Sequence, residues 1–251
     1  MPRHCSTLDL IPWNTATRLL LAASLSGLLM GCGGSSKAPG YTADDEHDEA
    51  AQPERKGMSA EAEIGALDSA KVNDAFREAM PGLQKCLLLG SKRVEFIGGN
   101  ITFFIKINQQ HEIVHAHAVE STLGDRKTEL CMFDALKSVS WPAPEGGTFG
   151  TAENPFQFDN PADVRSPVIW NEGQVSAQRS ALAGELSSCK RGVHGRFSAT
   201  LYIDTDGTPL SGSVTPPNEE GESAVDCLVG VLLGAKYDSP GSWPAKVTLD
   251  L

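Results

Sequence analysis

From Asp68 onward the apolar positions keep a rhythm whose period changes twice and then starts again. In "DSAKVNDAFREAMPGLQKCLLL", Val72, Phe76, Ala79, Leu83 and Cys86 fall three or four residues apart. That spacing lines one face of an α-helix, with Asp68 or Ser69 placed to cap it. Pro81 lies inside the run and is expected to kink or restart the helix, because proline lacks the N–H that the helical ladder uses. In "GGNITFFIKIN" the period drops to two: Ile101, Phe103, Ile105 and Ile107 alternate with Thr102, Phe104, Lys106 and Asn108. This predicts a strand, turned by "NQQHE" into a second strand from about Ile113 to Glu120. Helical spacing returns in "LGDRKTELCMFDALKSVS", carried by Leu130, Cys131, Asp134 and Leu136 to Val139, with Asp125 as the cap candidate. After "WPAPEGG", the stretch "TFGTAENPFQF" reads as a closing strand. The order is helix, strand, strand, helix, strand.

The same order is written a second time. A shift of 96 residues lays Cys131 on Cys227, Leu136 on Leu232, Trp141 on Tyr237, Pro144 on Pro240 and Gly99 on Gly195. It also lays Ile101, Ile105 and Ile107 on Phe197, Leu201 and Ile203. Upstream of the strands a shift of 103 pairs Val72 with Val175, Leu83 with Leu186 and Cys86 with Cys189. The change of shift places a seven-residue deletion between first helix and first strand of the second copy, where a loop tolerates it. Periodicity alone matches apolar positions; two cysteines, an aromatic and a proline at fixed offsets point to duplication. The reading is an α+β chain of two tandem small domains, each helix-strand-strand-helix-strand with an antiparallel sheet. The first domain spans 68–158, the linker 159–172 and the second, divergent copy 173–251. That copy ends before any counterpart of "NPFQF" is expected.

The residues ahead of these domains set the compartment. A start containing Arg3 and Arg18 leads into the apolar run Leu19 to Met30, followed by Gly31, Cys32 and "GGSSK". Twelve residues are too few to cross a hydrocarbon core of about 30 Å as a helix, so the run fits the apolar region of a signal peptide over residues 1–31. Leu29-Met30-Gly31-Cys32 resembles the bacterial lipobox, which implies a lipidated Cys32 at the mature N-terminus and attachment to a membrane through acyl chains. Gly33, rather than Asp, at the next position resembles the pattern of lipoproteins sorted to the outer membrane, facing the periplasm. Residues 32–67, with the acidic run "ADDEHDEAA", show no apolar period and read as a flexible tether.

The formal charge of -11, with no stripe among the 21 Lys and Arg, argues against a nucleic-acid partner, because phosphate binding needs clustered cations. Of six cysteines, Cys5 falls in the leader and Cys32 is set aside for lipid. Cys86, Cys131, Cys189 and Cys227 remain, an even number in an exported chain, with three connectivities open. The one that repeats with the module joins Cys86 to Cys131 and Cys189 to Cys227. Closing a loop of about 45 residues stabilises by roughly 4 kcal/mol in the chain-entropy picture. No C-x-x-C motif suggests redox chemistry.

With these residues in place, the Cys-ended helix, "GGNITFFIKIN", the strand to "VEST", "ELCMFDALKSVSWPAPEGGTF" and "NPFQF" resemble the AgmX/PglI C-terminal domain family, which is similar to the TonB C-terminal domain. The resemblance covers 68–158 well and 173–251 less well. It implies a TonB-C-like fold and a non-enzymatic envelope domain of the kind found in gliding-motility and cell-surface proteins. TonB-like domains present a sheet edge to which a partner strand adds. TonB itself is anchored by a transmembrane helix, where this chain has the lipobox.

Other chemistry has weaker footing. "HEIVHAH" places His115 and His117 on one strand face, close to His111, as a candidate metal pair and the basis of an alternative reading as a metal-handling envelope protein. The second copy has Gly207, Ser211 and Ser213 at the matching positions, so the module does not need them, and no metal or other cofactor is expected. "DTDG" from Asp204 is a turn signal at the hairpin rather than a calcium loop. No G-x-S-x-G, P-loop or H-E-x-x-H occurs. "SSCK", Ser187 to Lys190, has S-x-x-K spacing only around a cysteine assigned to a bridge. Trp141 and Trp243, beside turn prolines, read as packing residues.

Overall fold

The structure is a computed structural model and describes residues 62 to 251. The leader, Cys32 and all of the tether up to residue 61 lie outside the described residues. The fold mixes helices with two four-stranded sheets. The first is built from β1 (Ala62–Ile64), α1 (Ser69–Ser91), β2 (Gly99–Asn108), β3 (Ile113–Ser121), α2 (Arg126–Lys137) and β4 (Gly147–Phe158). Its strand order is β1-β4-β2-β3. The second has β5 (Val168–Trp170), a 3-10 turn (Glu172–Val175), α3 (Ser176–Ala181), α4 (Ala183–Lys190), β6 (Ser198–Ile203), β7 (Pro209–Thr215), α5 (Glu222–Gly234) and β8 (Ala245–Asp250). Its order, β5-β8-β6-β7, is the same order one copy later.

Each module therefore gains a strand that the alternation did not reveal. β1 pairs parallel with β4, and β5 pairs parallel with β8, while all other pairings are antiparallel. The sheets are mixed, and β1 and β5 lie in residues read as tether and linker. Three residues are too few to display a period of two, and their partners are far away in sequence. The second copy also closes fully. Leu251 donates its N–H to Phe197 O at 2.9 Å, the place Phe156 holds opposite Ile101. Leu249 to Leu251 thus are the counterpart of the first half of "NPFQF".

Helix α1 starts where its cap predicts: the Asp68 carboxylate accepts from the N–H groups of Ala70 at 2.9 Å and Lys71 at 3.2 Å. It then runs unbroken through Pro81. Ala79 and Leu83, buried on either side, and the bridge from Cys86 to α2 hold both halves against the core, so the loss of one ladder bond does not end the helix. In the second copy the corresponding stretch is broken into the 3-10 turn, α3 and α4, yet Val175, Leu186 and Cys189 are buried as Val72, Leu83 and Cys86 are. Helix α2 presents a different face from the one its spacing suggested. Glu129, Met132, Phe133 and Leu136 are buried, whereas Leu130 is exposed. Asp125 stands at the N-cap position without a capping bond. Its carboxylate instead takes the Arg93 guanidinium and the Thr128 hydroxyl.

Behind the hairpins the repeat extends to single hydrogen bonds. Trp141 Nε1–H donates to Leu136 O at 2.9 Å, and the Tyr237 hydroxyl donates to Leu232 O at 3.1 Å. Each satisfies a carbonyl at the end of the second helix. At the hairpin, His111 and Gly207 both adopt positive φ, 67° and 84°, a conformation glycine takes freely and histidine does not.

The seven extra residues of the first copy are not a neutral loop. Val94, Phe96 and Ile97 are buried and pack with Tyr202 of the second module, joined by Leu87, Val164 and Trp243. This small apolar core belongs to neither module alone. It wedges the end of the first module onto the helix-free face of the second sheet, where Thr200 and Ser213 are also buried.

Candidate functional site

The four described cysteines pair within their modules, Cys86 with Cys131 and Cys189 with Cys227, at Cα separations of 5.7 and 5.5 Å. The bridges span 45 and 38 residues, tie the first helical segment to the second in each copy and leave no free thiol among the described residues. Cys32 lies outside the described residues. No helix among the described residues is long and apolar enough to cross a membrane.

The histidines of the sequence motif separate into two roles. His111 caps the hairpin, with Nδ1 2.7 Å from Trp141 O. His115 and His117 meet each other: His115 Nε2 and His117 Nδ1 are 2.9 Å apart and share one N–H···N hydrogen bond. His115 Nδ1 also lies 3.7 Å from Glu219 of the second module. His117 is buried beside Phe104, with ring centroids 4.9 Å apart. Its pKa is lowered to about 4, first by burial and then by His115, with Glu219 opposing, so the imidazole is neutral at pH 7. Among the described residues no group of three His, Cys, Asp or Glu side chains is placed to hold a metal ion.

The densest polar chemistry is at the joint between the modules, which sequence reasoning did not single out. Arg126, at the start of α2, bonds Glu222 at 2.7 Å and Asp226 at 3.0 Å, both on α5. The Ser211 hydroxyl donates to Gly124 O at 2.7 Å, and Lys246 Nζ donates to Gly98 O at 2.7 Å. The Tyr202 hydroxyl reaches the same carbonyl at 3.3 Å. Glu129 is fully buried here and takes the Ser121 hydroxyl at 2.5 Å. Burial raises its pKa to about 7, against the pull of Ser121, Ser213 and Arg126. A signal for Glu129 was present: with Met132, Phe133 and Leu136 it makes the i, i+3, i+4, i+7 stripe of a buried helix face. The 96-residue shift lays it on Val225, a fully buried apolar residue. A groove of about 590 Å³ opens beside the joint, between Glu120, Thr122, Arg196, Thr215 and Pro217.

The sheet edges divide likewise. β3 and β7, the edges on one side of each sheet, approach each other at the joint. β3 is also interrupted by two irregularities that leave Val114 and Val119 unpaired and exposed, a device that blunts an edge against strand pairing. β1 and β5 are the edges on the other side, each three residues long, with Ile64 and Ile169 exposed. Compared with known proteins, the chain matches no family model, and no curated protein or solved structure matches it significantly.

Proposed function

We propose that this chain is a non-enzymatic lipoprotein of the cell envelope, held to the outer membrane through lipid on Cys32, whose two modules act as a protein-docking scaffold. The TonB-C-like and AgmX/PglI-like reading of the modules belongs to this proposal, as does a place in gliding-motility or surface assemblies. The observation that carries it is a module written twice, with the same strand order, the same internal bridge and the same short parallel strand left at a sheet edge. The hydrogen bonds and ion pairs that tie one module to the other suit a rigid platform better than a reaction site. A partner strand adding to β1 or β5 would pair the unpaired backbone groups there and cover Ile64 or Ile169.

The test is a photo-reactive residue placed at Ile64, at Ile169 and, as a control, at Leu233 on the outer face of α5, in envelope fractions. Docking predicts one protein partner cross-linked from the edge positions and not from Leu233. Equal labelling from all three, or none, would refute edge docking. Metabolic palmitate should label the chain, and Cys32→Ser should abolish the label; unmodified Cys32 in membrane fractions would sink the anchor. Metal handling through His115 and His117 predicts binding heat with zinc or copper that disappears in His115→Ala and His117→Ala. The hydrogen bond that the pair already shares gives docking precedence.

A further inference from the structure

The two bridges are alike in sequence and unlike in surroundings. Each joins a buried cysteine of the first helical segment, Cys86 or Cys189, to one on the second helix. Cys131 is half-buried, whereas Cys227 is exposed. Around the first bridge the helices close on each other: a Cβ added at Gly82, one turn before Cys86, would stand 2.9 Å from Ala135 Cβ, one turn after Cys131. The second copy has Glu185 and Val231 at these places. A Cβ added at Gly230, one turn after Cys227 on α5, would meet nothing within 4 Å. The two helical segments are also seated differently. α1 is 23 residues long and buries seven of them. Its counterpart is split into the 3-10 turn, α3 and α4, in which Val175, Leu186 and Cys189 alone are buried and Leu182 is half-buried. Without its bridge α4 keeps only Leu186 in the core, and eight residues are too few for a helix to persist on its own. Polar ties remain near the start of the segment, where Glu172 accepts from Asp250 N–H at 3.3 Å and Arg179 donates to Asp250 O at 3.1 Å.

We infer that Cys227 is a thiol-exchange site and that the Cys189–Cys227 bridge is a latch: an external dithiol opens it in the folded protein and unseats α4, while the first bridge and α1 stay in place. The attacking species is a thiolate, and it needs a clear approach to one sulfur of the bond. Cys227 offers that approach; in the first bridge the close pair Gly82 and Ala135 narrows it. The dithiol's thiolate attacks Cys227 Sγ, a sulfur–sulfur bond forms between them, and the bond to Cys189 breaks. Its electron pair stays on Cys189, which takes a proton from water. The reagent's second thiolate then attacks the reagent sulfur of the mixed disulfide, and Cys227 leaves as a thiolate that is protonated in turn. The dithiol ends as a cyclic disulfide and the bridge as a pair of thiols, so the electrons lost by one are gained by the other. Closed loops of 45 and 38 residues make the bridges weigh nearly alike on global unfolding. Access, and what else holds each segment, sets them apart.

The full chain is incubated under native conditions with dithiothreitol, quenched at intervals with N-ethylmaleimide, and its cysteines are followed by peptide mass spectrometry. Cys189 and Cys227 should be alkylated about tenfold or more faster than Cys86 and Cys131. With glutathione in place of the dithiol, the trapped mixed disulfide should sit on Cys227. In concentrated urea all four should react at one rate, because the fold sets the difference. After reduction, hydrogen exchange should rise over residues 172–190 and stay low over 69–91. Equal or reversed rates in the native protein, a mixed disulfide on Cys189, or a rate gap that survives in urea overturns the exchange site. Unchanged protection over 172–190 overturns the latch, as does exchange that rises equally across β6 and α5, since the whole module would then have unfolded.

Discussion

Phe96→Ala tests whether the seven-residue insertion is the element that makes two modules one body. Phe96 is 2% exposed and lies 5.5 Å from the Tyr202 ring and 6.1 Å from that of Trp243, both of the second module. Truncating a buried Phe costs about 3–5 kcal/mol through lost transfer free energy and the cavity left behind. Each aromatic pair accounts for about 0.5–1.5 kcal/mol beyond area. Because Phe96 packs in neither module's own core, the loss falls on the coupling between them. For a body of this size 1 kcal/mol corresponds to about 2–4 °C, so the less stable module should melt roughly 10 °C lower. Differential scanning calorimetry should show one transition in the wild type and two in the variant. Leu88→Ala, at an exposed position, should leave the wild-type trace unchanged. A Phe96→Ala trace with one unshifted transition would refute the argument, because it would mean that the joint holds without its wedge.

Removing either bridge, by Cys131→Ser or Cys227→Ser, should cost about 4 kcal/mol, since the closed loops of 45 and 38 residues are nearly equal in chain entropy; urea midpoints with and without reductant measure it. Gly124→Ala should destabilise by about 1–3 kcal/mol, because Gly124 has φ 72° and an added Cβ would stand 2.9 Å from Thr200 Cγ2 and Tyr202 Cε2; thermal melts decide. Arg126→Gln should cost about 1–3 kcal/mol by leaving Glu222, whose Oε2 already lacks a partner, without a cation. Asp226→Asn should cost less than about 0.5 kcal/mol, because that side chain is 77% exposed. Equal losses in the two variants would contradict the burial argument.

What the residues revealed in advance follows the length of the pattern. α1, β2 and β4 carry ten or more residues of patterned sequence and β3 nine, and each appears within a few residues of its expected bounds. The pairing of cysteines followed from the repeat because the bridge lies inside one copy. β1 and β5 were illegible, being too short to show alternation. The joint was illegible for another reason: Val94, Phe96 and Ile97 have no period and sit where a loop was expected, and only tertiary packing reveals that they are buried. On α2 the apolar count favoured Leu130, whereas the real stripe includes an acid. Glu129 breaks the usual link between polarity and exposure, at a place where the second module supplies part of the cover.

The wedge has a consequence for how many modules can follow one another. A contact in which the end of one unit seats on the flat face of the next is heterologous and contains no internal stop, so like units could continue into a filament. The second module has the receiving face but, seven residues shorter at the same point, ends in Gly192, Val193 and His194 where Val94, Phe96 and Ile97 would be needed. The shortened turn removes the wedge, so the second module has no means of seating on a further copy in the way the first seats on the second.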